Sequence, residues 1–130
     1  MAELGLYDDL LGCLDAADRR WTEHGVIEHR YLTAHPDIYF GQLLPLYGHA
    51  SQGPMKGLST SLLLAMALSQ LRSEGLLVYR TWRPTGYWKK NSKISYWATP
   101  PDPPEEDRLT WAGYAAELGL DPKDWDFQHP

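Results

Sequence analysis

The sequence predicts an α+β chain that is mostly α. Three stretches with apolar residues at helical spacing lie before Gly75, and two runs rich in β-branched and aromatic residues follow it. At 130 residues with one cysteine, the chain is long enough to close a core without disulfides or metal. The expected division is a folded unit over residues 1–100, then a proline-rich linker and an acidic helical segment over 101–130.

Leu4, Tyr7, Leu11, Leu14 and Trp21 recur at helical spacing, and Leu10 and Ala17 widen the stripe. Residues 3–22 therefore read as one amphipathic helix with Asp8, Asp9, Asp15 and Asp18 on its wet face. Gly25 reads as its stop, and Val26 to Thr33 fits a short strand or a second helical segment equally. Pro36 suits a first helical turn, where its missing N–H would be unpaired anyway. Ile38, Leu43, Leu44 and Leu46 supply the apolar face of that helix, and Pro45 predicts that it is short or kinked near its end. GHASQGPMKG is a loop. A helix capped by Ser59, Thr60 or Ser61 then runs to Ser73, with Gly75 ending it.

LLVYRTW and KISYWAT read as two strands of a hairpin whose tip lies between Pro84 and Ser92, while Trp82, Tyr96 and Trp97 read as strand and core aromatics. PPDPPEED is stiff and extended, because each proline blocks helix and ladder alike. A weak helical pattern follows over 107–118.

Charge is unevenly placed. Residues 1–49 carry three basic and eight acidic side chains, a net of minus five. Residues 50–100 carry seven and one, plus six, and residues 101–130 carry two and eight, minus six; together these give the formal minus five of the whole chain. The basic centre is concentrated in TWRPTGYWKKNSKISYW, which holds Arg83, Lys89, Lys90 and Lys93, five aromatics and no acid. Cations neutralise phosphates and ring faces stack on bases or sugars, so such a segment fits nucleic acid.

Helix, short helix, loop, helix and hairpin is also an order met in winged helices. ALSQLRSEGLLVYR followed by KISYWATP resembles the winged helix-turn-helix domains of MarR-like and PadR-like transcriptional regulators. The resemblance is carried by Leu68, Leu71, Glu74, Gly75, Leu76 and Leu77, then Tyr96, Thr99 and Pro100. It implies a two-stranded wing with extra helical segments at both ends. It also implies a dimeric DNA-binding transcription regulator with the outer face of 59–73 in a major groove and the hairpin tip along the backbone.

The DNA-contacting set is then Ser59, Ser61, Gln70 and Arg72 on the helix, with Arg80, Arg83, Tyr87, Lys89, Lys90 and Lys93 on the ribbon. Leu62, Leu63 and Met66 stand where a base-reading helix shows polar groups, so these three and an exposed Trp88 at the tip are expected at a partner or dimer contact. A non-enzymatic protein-interaction module, or a small inhibitor docking on a partner, is the alternative.

Other chemistry is sparse. His24, His29, His35 and His49 lack metal-pair spacing, so surface or capping roles are expected of them, with no metal and no cofactor. No phosphate-binding glycine motif is present, the carboxylate pairs sit on solvated stretches, and no enzyme activity is expected. Cys13 among leucines reads as a buried, reduced thiol. The chain start lacks a signal-peptide pattern, the apolar runs are too short to span a bilayer, and a cytoplasmic protein is expected.

Overall fold

The computed structural model describes residues 5–14, 19–48 and 59–129 and is α+β, about half helical, with a four-stranded mixed sheet. Helix α1, Leu6–Cys13, buries Leu6, Leu10 and Cys13 along one stripe. It is shorter than the helix expected over 3–22. Leu14 leaves helical geometry, residues 15–18 with Asp15, Ala17 and Asp18 lie outside the described residues, and Trp21 opens strand β1, Trp21–Glu23. Trp21 matched the helical stripe by spacing alone. Its backbone N–H donates to the Asp107 carbonyl, and its ring sits edge-on to Trp82, 5.7 Å away.

Helix α2, His24–Ala34, follows at once and resolves the ambiguity of 26–33. Gly25 does not stop a helix; it lies in the first turn of this one. A Cβ there would overlap the indole of Trp88, so the position needs glycine for space. Pro36 opens α3, Pro36–Ile38, which continues through a π-helical turn, Tyr39–Leu43, into α4, Leu44–Tyr47. The Leu44 N–H bonds to the Tyr39 carbonyl, one residue wider than in an α-helix. The wide turn absorbs the donor that Pro45 lacks, and the helical path continues instead of breaking. The glycine-rich loop, including His49, lies outside the described residues from residue 49 to 58.

Helix α5, Thr60–Ser73, is capped by Ser59, whose hydroxyl accepts from the Leu62 N–H at 3.1 Å. Leu63, Leu64, Ala67, Leu68 and Leu71 form its buried stripe. Each leucine taken from water contributes about 1.5–3 kcal/mol. Gly75, at φ +79°, closes the helix, and Leu76 donates back to the Leu71 carbonyl.

Strands β2, Val78–Trp82, and β3, Ile94–Ala98, form the expected hairpin. Strand β4, Arg108–Leu109, was not foreseen. The sheet order is β2-β3-β1-β4, antiparallel except for β1 beside β4. Tyr79 and Trp97 face the helices and join the main core with Leu6, Tyr31, Leu64 and Leu68. Trp21, Val78, Trp82, Tyr96 and Ala98 face the other way.

The proline-rich stretch runs extended beside β1, where the Pro103 carbonyl accepts from Trp21 Nε1 at 3.1 Å. Helix α6, Trp111–Glu117, is capped by Thr110 and buries Trp111 and Ala115 against Trp88, Trp125 and Phe127. Residues beyond 100 thus supply part of the buried interior. Among the described residues, no helix is long and apolar enough to cross a membrane.

Candidate functional site

The hairpin tip carries Lys89 and Lys90. It does not project. After Trp82 the chain turns through Pro84 and Thr85 into a 3-10 turn, Gly86–Lys90, which folds back onto the body. The fastening is the carboxylate of Glu23, which is fully buried. Its Oε2 accepts from the Thr85 N–H at 3.0 Å, and its Oε1 from the Thr85 hydroxyl at 2.7 Å, the Trp111 N–H at 2.9 Å and the Tyr96 hydroxyl at 3.1 Å. Thr85 Oγ1 also accepts from the Ala112 N–H at 3.0 Å. A single side chain at the end of β1 therefore ties the tip, β3 and the start of α6 together.

Gly86 is needed in the same turn. Its φ of +56° is left-handed, and a Cβ would meet the Pro122 carbonyl oxygen. That carbonyl accepts from the Tyr87 N–H at 2.7 Å and from Trp111 Nε1 at 2.8 Å.

Folding the tip back creates a cleft between it, the helix-facing side of the hairpin and the first half of α5. The cleft has a volume of about 610 Å³. Ser59, Ser61, Lys90 and Lys93, four of the residues expected from sequence to contact DNA, line it together with Thr81, Ser95 and Asn91. Lys90 is held in place: its Nζ donates to the Tyr87 hydroxyl at 2.7 Å and lies 4.2 Å from that ring's centre. A shallower groove continues along α5 past Leu62, Ala65, Met66 and Gln70.

The remaining expected residues are dispersed. Lys89 and Arg83 are exposed, and the Arg83 carbonyl shares the Tyr96 hydroxyl with Glu23. Arg72 lies over the Tyr79 ring at 5.0 Å. Arg80 is on the opposite sheet face, over Trp21 and Trp82 and 3.7 Å from Glu105, so it does not share a surface with the lysines. Strand alternation puts it there, since Tyr79 and Thr81 take the cleft side.

Leu62 and Met66 are exposed, at 44% and 47% of their surface, whereas Leu63 is core. Leu63 is therefore not available for a partner. Neither is Trp88, which was expected at an exposed tip and is buried between Gly25, His24 and Trp125. Tyr87 is half-buried and stacks on Trp125 at 5.9 Å. These two aromatics bury the tip rather than decorate it.

A buried polar chain lies beneath the cleft. His24 is 3% exposed and lines the cleft floor. Its Nε2 is 2.8 Å from Glu28 Oε1, and the Tyr39 hydroxyl donates to Glu28 Oε2 at 2.6 Å. Burial pushes the Glu28 carboxyl up, but hydrogen bonds from His24, Tyr39 and Ser61, with the charge of His24, hold it below the usual range. Burial beside that carboxylate raises the Tyr39 phenol, so Tyr39 stays a donor.

The sequence reading missed both buried carboxylates and took His24 and His29 for surface or capping residues. His29 is buried too: its Nδ1 is 2.9 Å from the Tyr114 hydroxyl, and Phe127 and Trp111 close around it. One signal was present. In WTEHGVIEH, Glu28 stands four residues after His24, on one helix face.

Among the described residues no group of three or more His, Cys, Asp or Glu is placed to hold a metal ion. Burial raises the Cys13 thiol to about 11, which keeps it protonated and unreactive. The chain matches no protein-family model, no curated protein and no solved structure.

Proposed function

We propose that the chain is a winged-helix DNA-binding protein that grips duplex DNA mainly by its phosphates and acts as a transcription regulator. The observation that carries this reading is connectivity joined to chemistry. Helix α5 runs through Gly75 into a hairpin whose second strand pairs with β1, the strand that leads into α2. Lys90 and Lys93 then stand across one cleft from Ser59 and Ser61 at the start of α5. Phosphate oxygens are met by ammonium groups, hydroxyls and helix starts of this kind.

The outer face of α5 offers Leu62 and Met66 where base edges would need donors and acceptors, so backbone contacts dominate and sequence discrimination is weak. Retardation of a mixed-sequence duplex library at low salt tests the reading. Binding that fades as salt rises is expected, and no retardation at any salt would sink it.

A second reading is favoured by one observation: Leu62 and Met66 stand exposed along a groove that also holds Ala65, Tyr79 and Trp97, beside Ser69, Gln70, Ser73 and Ser95. It fits a protein contact, and a second copy of the chain would set two clefts on one duplex. Sedimentation at tens of micromolar should give a dimer that Met66→Asp converts to a monomer; a monomeric parent protein contradicts this part.

A further inference from the structure

We propose that the cleft between α5 and the folded-back hairpin tip is a binding site for a mononucleotide, a monoester phosphate joined to a flat, hydrogen-bonding ring. The inference goes beyond contact with DNA and does not need it, because a cleft of about 610 Å³ is the size of a small-molecule site.

Its chemistry is graded from rim to floor. Lys90 and Lys93 stand at the rim, and the hydroxyl of Ser59 lies at the start of α5; together they suit a phosphate. Tyr79, Leu62 and Trp88 supply aromatic and apolar walls that suit a ring. His24 lies at the floor and is the deciding residue.

Its Nε2 is committed to Glu28, whose other oxygen is committed to Tyr39. With Nε2–H facing that carboxylate, Nδ1 is the ring nitrogen left over, and it makes no hydrogen bond among the described residues. A buried carboxylate costs free energy that an apolar pair at the same place would not. Here that arrangement fixes the orientation of one imidazole in a cleft, with one ring nitrogen left for a hydrogen bond to the base or the ribose.

The test is calorimetry on the full chain without DNA, titrating each of the four ribonucleoside 5′-monophosphates, the four nucleosides and inorganic phosphate. At least one monophosphate should bind about tenfold or more tighter than both its nucleoside and phosphate, about 1.4 kcal/mol per tenfold. The double substitution K90A/K93A, on exposed side chains, should reduce that monophosphate to the affinity of its nucleoside and leave the nucleoside unchanged. His24→Phe should weaken nucleoside and monophosphate by the same factor while phosphate binding holds. Should His24→Phe fail to fold, the lysine pair still decides. The proposal is overturned if no monophosphate binds tighter than phosphate alone, or if the lysine pair leaves the preference intact. Because no DNA is present, either result is independent of whether the chain binds a duplex.

Discussion

Glu23 is the residue on which the shape of the site depends most. Four donors converge on its two oxygens, and an amide in its place has a single acceptor oxygen and an NH2 group that would face donors. Glu23→Gln should therefore cost about 2–3 kcal/mol in urea unfolding, because buried donors lose their acceptor. Gly25→Ala is predicted to destabilise for a steric reason, by about 1–3 kcal/mol, since the new methyl would displace the Trp88 indole from the first turn of α2. Near-ultraviolet circular dichroism would report the tryptophan's altered setting, and an unchanged spectrum and melting point would contradict that contact. Neither role was legible in the sequence. Glu23 gathers partners from positions 85, 96 and 111, and no local pattern announces a contact made over such separations.

At the scale of elements, legibility follows how local the forces are. Helix α5 was legible at both ends because its cap, its leucine stripe and Gly75 are neighbours in sequence. The hairpin strands were legible for the same reason, through β-branched and aromatic composition. The end of the first helix was not, because Trp21 satisfies helical spacing and is claimed instead by a strand partner about ninety residues later. The fold-back of the tip depends on Pro122 and Trp125, which no reading of PTGYWKKN alone could supply.

Docking of the C-terminal segment on α2 carries a pH signature through His29. Burial lowers the proton affinity of this imidazole below its ordinary value of 6.5. The unfolded chain then takes up a proton before the folded one, so the contribution to stability is complete above 6.5 and is lost as the pH falls from there through the folded value. The urea midpoint should fall between pH 7.5 and 5.5, and His29→Asn should flatten that fall. An equal fall in the variant would contradict the assignment to His29. Glu28 is held low and acts in a separate window, below the ordinary carboxyl range.

For the whole molecule, the lopsided charge seen in the sequence acquires a geometry. Strand alternation places Arg80 on the far sheet face, beside Glu105 and two indoles, so the positive surface near the cleft rests on the exposed lysines of the folded-back tip. The most direct measurement of the central claim is the salt dependence of binding to several unrelated duplexes, for the parent chain and for Lys89, Lys90 and Lys93 changed together to Ala. Each lysine that meets a phosphate should remove about 0.9 from the slope of log K against log salt, so the variant should bind every duplex more weakly and with a slope shallower by up to about 2.7. An unchanged slope, or a loss confined to one sequence, would contradict phosphate contact by the folded-back tip.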